Sequence, residues 1–496
     1  MDRTKMLKLL LINPPQTIFS GSIGRSIYFP IGLMYLGAVA RELSNVEIFD
    51  SLTSNTEIKD GNAITYGSSD EEIRRIIAEK KPDIVGISVP FTAQYKNAER
   101  VAKLAKQVNP KIITIMGGPD PSVRFRDILE NNYCDFCIVG EGEETLREFL
   151  INFCSPQKLK EVKGLAFKWK GLIHFEPRPF KTDLDTLPFP AFDLIDMDSY
   201  LKNEELYKNR SKIHGKSISI ITSRGCPYNC VFCSIKLHMG KKYRAHSPDY
   251  VMKLLRLCKE KYGIVNFHFE DDNISFDKQR FETILDNIIK EKLQIKWDTP
   301  NGVRIDSLNY NILQKMKQAG CNQITLAIES GNQRVLDNII KKKTKLPYIL
   351  EIVRHCKEFK ISANAFYVIG FPGETIEEMK ETTKLALKLY KDYDLHPHLM
   401  VATPLYGTEL FEICIRDNLL KDKPTFEELA IATQTTGNPM ITTADWSKED
   451  IRHVIDEFSS DLMNEQRRKF LNHPRLFLKH PRTGIRLIQN RNVKQL

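Results

Sequence analysis

The first 150 residues alternate short apolar runs with amphipathic stretches, and this pattern predicts a parallel sheet with helices on both faces. The predicted strands are Leu9–Asn13, Val46–Phe49, Ile84–Val89, Ile112–Met116 and Phe136–Val139. The predicted helices between them are Gly32–Leu43, Asp70–Glu79, Ala93–Val108 and Ser122–Asn131. We therefore expect residues 1–150 to form a doubly wound α/β domain that binds any ligand at the carboxyl ends of its strands.

A second alternation begins near residue 216, after a connector over residues 151–215 that contains a predicted hairpin and Pro-rich aromatic sequence. Six strand candidates recur there, and most are followed by a helical stretch. They are Ile218–Thr222, Val265–Glu270, Ile295–Asn301, Gln323–Glu329, Ser362–Ile369 and His396–Thr403. Six such units over residues 216–415 predict a (β/α) arrangement with its site at the carboxyl ends of the strands. Residues 416–496 predict a small helical region with a basic tail.

Composition places the chain among ordinary globular proteins. Of its 496 residues, 42% are hydrophobic and 27% are charged, and no apolar run is long enough for a membrane span. The net charge of +10 belongs mostly to the tail, because nine basic residues and no acidic residue lie from Arg467 onwards. Ten cysteines without a dense framework favour a reduced cytoplasmic setting over a disulfide scaffold.

The most informative motif is a group of three cysteines, Cys226, Cys230 and Cys233, directly after the first strand of the second half. Three thiolates at this spacing can hold three corners of a 4Fe-4S cluster and leave the fourth iron open to a substrate or cosubstrate. A structural zinc site is the alternative, with His238 as the nearest fourth ligand. Cys134 and Cys137 also form a C-x-x-C pair, but their strand context favours buried thiols.

With the aromatic Phe232 before its third cysteine, this loop resembles that of the radical S-adenosylmethionine (SAM) superfamily. The resemblance implies a partial (β/α)6 barrel, an open iron that binds SAM, and a 5′-deoxyadenosyl radical that removes hydrogen from unactivated carbon. It also implies SAM contacts from residues at successive strand ends, although each of them alone is typical of a helix cap or a turn. The implied SAM contacts are Phe232, Asp271, Asp272, Arg304, Glu329, Ser330, Gly331, Gly370 and Gly373.

The N-terminal half resembles the cobalamin-binding domain that precedes many radical SAM domains. The matching residues are Pro30–Leu33, the Gly-Gly-Pro turn at Gly117 and the Gly-Glu-Gly-Glu turn at Gly140. The implied cobalamin contacts are Pro15, Ser88, Thr92, Gly117, Gly118, Ser122, Gly140, Glu141, Gly142 and Glu143. The Asp-x-His-x-x-Gly motif is absent and Asp120 follows Gly-Gly-Pro, so we expect cobalt without a histidine ligand on its lower face. The loops alone are also compatible with a purely structural domain.

Together, the two resemblances imply an anaerobic enzyme that uses a 4Fe-4S cluster, SAM and cobalamin to methylate an unactivated carbon or phosphorus centre. Radical oxidation or ring closure without methyl transfer, as in anaerobic porphyrin cyclases, is the alternative within enzymes. The expected partners are a small-molecule or lipid substrate and a low-potential electron donor such as flavodoxin or ferredoxin.

The basic tail suggests two further hypotheses. It is a candidate for contact with an anionic membrane surface, which would make a cytoplasmic enzyme peripheral to the membrane. An RNA-binding or RNA-modifying protein is the alternative from another functional class, although we expect nucleic acid not to be a partner.

Overall fold

A computed structural model of the chain describes residues 6–19, 28–54, 56–130, 133–202, 216–420, 422–434 and 438–472. Its first large sheet has seven strands in the order β10-β9-β8-β7-β6-β1-β3, and the strands from β8 to β3 in this order run parallel. These strands are β1 (Leu7–Asn13), β3 (Ser44–Asp50), β6 (Ile84–Ser88), β7 (Ile113–Gly117), β8 (Phe136–Ile138), β9 (Leu165–Trp169) and β10 (Leu172–Phe175).

Helices cover this sheet, which confirms the doubly wound α/β fold. They are α1 (Ile31–Ala40), α2 (Asp70–Lys80), α3 (Tyr95–Val108), α4 (Pro119–Leu129), α5 (Glu143–Asn152) and α6 (Pro156–Leu159). The hairpin predicted in the connector forms β9 and β10 and extends the sheet by two antiparallel strands. A second small sheet, of β2 (Gln16–Phe19), β4 (Glu57–Asp60) and β5 (Ala63–Tyr66), was not predicted.

The second large sheet contains six parallel strands that neighbour each other in chain order, as a partial (β/α)6 barrel requires. They are β11 (Ser217–Ile220), β14 (Asn266–Phe269), β15 (Lys296–Val303), β16 (Cys321–Glu329), β17 (Ser362–Ile369) and β18 (His396–Val401). The longer helices between them are α9 (Pro248–Tyr262), α10 (Lys278–Lys290), α11 (Tyr310–Gln318), α12 (Leu346–Glu358) and α13 (Ile376–Tyr393).

Shorter elements complete the chain. Two lie beside the cysteine loop and form an antiparallel ribbon, β12 (Ser223–Arg224) and β13 (Arg244–Ala245). The remaining helices are α7 (Met197–Lys202), α8 (Ile235–His238), α14 (Glu409–Arg416), α15 (Phe426–Gln434) and α16 (Lys448–Asn472). Among the described residues, no helix has both the length and the apolar character needed to cross a bilayer. The basic tail from residue 473 onwards lies outside the described residues.

Apolar side chains bury both faces of the N-terminal sheet in two separate clusters. The core around the barrel strands is larger, and it includes N-terminal residues such as Phe29, Met34 and Leu52 as well as Tyr200 of the connector. The two halves therefore share apolar packing, and their ligand-binding edges are held close together.

Candidate active site

The three cysteines occupy the loop between the ribbon strands β12 and β13. The Cys226 N–H donates to the Gly240 carbonyl over 3.3 Å, and the Cys233 N–H donates to the Cys230 carbonyl over 3.1 Å. Gly225 has φ +80°, and a side chain there would meet the Lys242 carbonyl oxygen at 2.5 Å. This close approach of backbone to backbone requires glycine immediately before the first cysteine.

Burial raises the pKa of all three cysteine thiols, and that of Cys233 reaches about 12. Thiolates at these positions therefore need a strong positive partner, which iron supplies. In the described part of the chain, no three His, Cys, Asp or Glu side chains surround a single ion. His238, the fourth ligand in the zinc alternative, is buried, and its Nδ1 has no hydrogen-bond partner. A cluster, which places each thiolate on a different iron, fits the loop better than one zinc ion does.

Two aspartates after β14 accept hydrogen bonds from residues just before the first cysteine. Asp271 is buried and accepts hydrogen bonds from the Thr222 N–H and from the hydroxyls of Thr222 and Ser223. Asp272 accepts the Gly225 N–H over 3.1 Å, and burial raises its pKa to about 6. Asp271 therefore binds the residues that precede the loop, whereas Asp272 binds the residue directly before Cys226. Their predicted roles in SAM binding stay predictions.

A buried ion pair lies beside Cys230. Lys342 Nζ is 2.8 Å from Glu329 Oε1, and the two side chains are 4% and 8% exposed. Glu329 ends β16 with φ +71°, an unusual conformation for a residue with a side chain. Sequence analysis named Glu329 but missed Lys342, because three consecutive lysines, 341–343, give no sign of which one turns inward.

Arg304 packs its guanidinium against the Tyr228 ring at 3.5 Å, within the cysteine loop. It also pairs with Asp306 through two hydrogen bonds, of 3.0 and 2.6 Å. Arg304 and Lys342 are therefore both paired with carboxylates, and the SAM contact of Arg304 stays a prediction.

Four of the remaining predicted SAM residues follow the ends of β16 and β17, and the fifth, Phe232, lies in the cysteine loop. The Ser330 hydroxyl is 3.0 Å from the Thr382 hydroxyl, and a Cβ on Gly331 would meet the Glu381 carbonyl oxygen at 2.8 Å. These two residues therefore pack β16 against α13. Gly370 and Gly373 have φ near +85°, as tight turns require. The Phe232 and Phe371 rings are 5.8 Å apart.

The carboxyl edge of the N-terminal sheet presents backbone and small side chains. Ser122 links two of its loops, because its hydroxyl donates to the Gly118 carbonyl and accepts the Gly140 N–H. A Cβ on Gly118 would meet the Val89 carbonyl oxygen at 2.8 Å. Such an edge lets a large flat ligand approach closely, which fits cobalamin. Residues 1–150 contain no histidine, so this domain has no imidazole to offer to cobalt.

The other predicted cobalamin residues differ in their surroundings. Pro15 packs against Gly67, Ser88 pairs with Gly117 in the sheet, and Thr92 begins a short 3-10 turn. The Glu141 carboxylate makes ion pairs with Arg224 and Arg244 of the second half, and the Glu143 carboxylate makes one with Arg224. The cobalamin contacts of all these residues stay predictions.

Comparison with known proteins identifies two domains. The sequence model of the Radical SAM superfamily matches residues 220–386, and that of the B12 binding domain matches residues 24–150. An uncharacterized methyltransferase of Pyrococcus horikoshii is 36% identical over 84% of this chain and 85% of its own length. A cytidylyl-2-hydroxyethylphosphonate methyltransferase of Streptomyces wedmorensis is 29% identical over 92% of this chain and 89% of its own length.

The fold is also similar to a solved structure. The radical SAM methyltransferase TsrM from Kitasatospora setae, solved with cobalamin and a [4Fe-4S] cluster, aligns with a TM-score of 0.65. The alignment covers 85% of this chain and 80% of that one at 16% identity. At this identity the likeness concerns the fold, and it supports the order of the two halves.

Proposed function

The chain belongs to the radical SAM superfamily, as a member with a B12 binding domain, and we propose that it methylates a carbon or phosphorus centre of a polar small molecule. Its cofactors are a 4Fe-4S cluster, SAM and cobalamin. When bound, these groups supply an electron, a cleavable sulfonium and a cobalt centre that carries methyl groups. Cys226, Cys230 and Cys233 would hold the cluster.

One observation carries this proposal. The edges of the two sheets at which ligands are expected to bind, which we call the ligand edges, are in direct contact. The cysteine loop and the Gly140–Glu143 turn, each at the carboxyl ends of its own sheet, are joined by buried ion pairs. A methyl group and a substrate radical must meet in one place, and the contact between the two edges supports this proposal. The two methyltransferases that resemble the chain over at least 84% of its length support methyl transfer over ring closure.

We base the polar substrate on the inner face of the six-stranded sheet. Ile218, Phe267, Trp297 and Ile324 belong to the apolar core, so the alternate positions of these strands face the opposite side. Those positions form a polar row of Ser219, His268, Asp298 and Gln323 across four strands. Inner layers of (β/α) barrels are otherwise rich in bulky branched residues.

The polar row also contains hydrogen-bond acceptors that a substrate could use. His268 Nδ1 is 2.7 Å from Asp298 Oδ1, and Asp298 Oδ2 is buried without a partner. Glu270 lies beside this pair, and burial raises its pKa to about 7. A substrate with hydroxyl or amino groups satisfies such acceptors. A lipid or a porphyrin would leave them unpaired at a cost of about 1–3 kcal/mol each.

Anaerobically reconstituted enzyme, methyl-labelled SAM and a chemical reductant test the proposal. The probes are cytidylyl-2-hydroxyethylphosphonate, as the polar molecule, and a triterpenoid in detergent, as the lipid. We expect label only in the polar product, and none with the Cys230→Ala variant. Label in the lipid alone would contradict the polar substrate, and 5′-deoxyadenosine without labelled product would favour the non-methylating alternative.

The other finer hypotheses stay proposals. These are the domain limits 1–150, 151–215, 216–415 and 416–496, the cytoplasmic location, the anaerobic setting and the flavodoxin-like or ferredoxin-like electron donor. RNA binding and membrane contact depend on the basic tail from Arg467 onwards, of which residues 473–496 lie outside the described residues.

A further inference from the structure

The ribbon beside the cysteine loop places two arginines next to each other. Arg224 of β12 is paired in register with Arg244 of β13, and the loop that contains the three cysteines runs between them. Like charges on neighbouring strands repel each other unless anions lie between them. Both guanidinium groups point to the Gly140–Glu143 turn of the N-terminal half.

Two carboxylates of that turn neutralise the arginines. Glu141 Oε1 accepts from Arg244 Nη1 over 2.7 Å and from Arg224 Nη1 over 3.1 Å. Glu143 Oε1 accepts from Arg224 Nη2 over 2.7 Å. All four side chains are at most 9% exposed, so water screens these contacts little. We call Glu141, Glu143, Arg224 and Arg244 the interdomain ion network.

Each end of the network is fixed to one ligand edge. On the N-terminal side, the turn is tied to the Gly118 loop through Ser122. On the barrel side, Arg224 is followed by Gly225, whose N–H is bonded to Asp272, and then by Cys226. Arg244 additionally donates to the Met239 carbonyl, next to the Gly240 carbonyl that accepts the Cys226 N–H. A shift of either edge would therefore break buried charged contacts.

The electrostatics favour the charged form of Glu143 in this position. Burial opposes the charge on Glu143, but Arg224 outweighs burial and leaves the pKa of Glu143 below its ordinary value. Two cations and two anions balance within the network. Removing one partner would leave a buried charge unmatched, which strongly disfavours the docked arrangement.

We propose that the interdomain ion network sets the separation and orientation of the cluster loop relative to the cobalamin edge. Its members are positioning residues, and Glu141 and Glu143 act on the cysteine loop instead of on cobalamin. The inference rests on the proposed function only in that both cofactors must bind. Iron, sulfide and corrinoid analysis of the wild-type protein tests that condition separately.

The test variant is Glu143→Gln, which removes one charge at nearly constant volume. Optical titration with hydroxocobalamin measures corrinoid affinity, and we expect a change within about threefold of wild type. Pulsed dipolar electron paramagnetic resonance between Co(II) and the reduced cluster measures the distance between them. We expect one narrow distance distribution in wild type and a shifted or broadened one in Glu143→Gln.

Glu148→Gln is the matched control, because Glu148 lies on the same helix and pairs with Arg178 outside the network. It should keep the wild-type distance distribution. Arg244→Lys keeps the charge but has a different donor geometry, and it replaces Glu143→Gln if that variant does not fold. A loss of corrinoid affinity beyond about threefold in Glu143→Gln would assign the carboxylate to cobalamin binding. An unchanged distance distribution would show that the network contributes only to local stability. Either result overturns the proposal.

Discussion

At the scale of single residues, the site is built from charges that are buried together. Glu329 and Lys342 form such a pair, whereas the buried Arg304 at the same edge of the barrel pairs with Asp306, whose side chain is 37% exposed. Buried pairs contribute little net stability compared with apolar packing, but a lone member is costly. Their presence beside three cysteines therefore points to ligand binding and not to stability alone.

The Lys342→Met variant tests how far stability depends on the buried Glu329–Lys342 pair. The variant leaves the Glu329 carboxylate buried without its cation, and we expect a loss of about 3–5 kcal/mol in the free energy of unfolding. Urea unfolding monitored by circular dichroism measures it. Lys345→Met is the control, because the Lys345 side chain is 66% exposed in its pair with Asp337 and should cost below about 1 kcal/mol. Equal losses in the two variants would contradict the importance of the buried pair.

Glu374 gives the fold a specific pH dependence. Its carboxyl group is buried, accepts the Gly370 and Phe371 N–H groups, and has its pKa raised by burial from 4.5 to about 8. The native state thus holds this proton more tightly than the unfolded chain does, and the group's contribution to stability falls as the pH rises from 4.5 to about 8. We expect Glu374→Gln to lose less stability than wild type between these limits. Urea midpoints across this range test this, with the exposed Glu377→Gln as the control that should behave like wild type.

At the scale of elements, the apolar runs predict the buried strands well. They do not predict exposed strands or the contacts between distant elements. The predicted strand Ser362–Ile369 coincides with β17, because six of its eight residues are buried, as is typical of a parallel strand covered on both faces. The small β2-β5-β4 sheet was missed, since Glu57–Asp60 is exposed throughout and has no alternating burial. The Glu141 and Glu143 contacts were missed for a different reason. Their partners lie more than 80 residues away, and one sequence does not reveal such pairing.

The packing of β16 against α13 requires a glycine at position 331. A Cβ on Gly331 would meet the Glu381 carbonyl oxygen and the Thr382 Cα, both at 2.8 Å, and backbone atoms cannot rotate away. Gly331→Ala should therefore destabilise the protein by about 1–3 kcal/mol. Gly32→Ala is the control, because nothing lies within 4 Å of its Cβ position in α1, and alanine should stabilise that helix by about 0.5–1 kcal/mol. Thermal unfolding measures both effects. A lower melting temperature for Gly331→Ala and a higher one for Gly32→Ala, each relative to wild type, would confirm the contact.

At the scale of the whole molecule, the halves are joined by more than the ion network. Tyr200 of the connector stacks on Phe29 with ring centroids 4.6 Å apart, and its hydroxyl donates to the buried Asp50 at the end of β3. At another point, α15 returns to the N-terminal half, where Phe426 packs on the Arg124 guanidinium at 4.3 Å. The alternating strands and helices of the two halves predict two domains, but these contacts between distant residues decide how the domains meet.

These contacts predict that both halves unfold together. The chain has three tryptophans, and Trp169 reports on the N-terminal sheet while Trp297 and Trp446 report on the barrel side. One variant keeps only Trp169 (Trp297→Phe, Trp446→Phe), and another keeps only Trp297 (Trp169→Phe, Trp446→Phe). In each variant, we expect the fluorescence midpoint in urea to coincide with the midpoint from far-ultraviolet circular dichroism, because a shared core and buried ion pairs make separate unfolding costly. Each comparison is made within one variant, so any destabilisation by the substitutions does not affect it. A fluorescence transition that precedes the circular dichroism transition in either variant would show that this half unfolds alone, and the joint position of the two ligand edges would then depend on the bound cofactors.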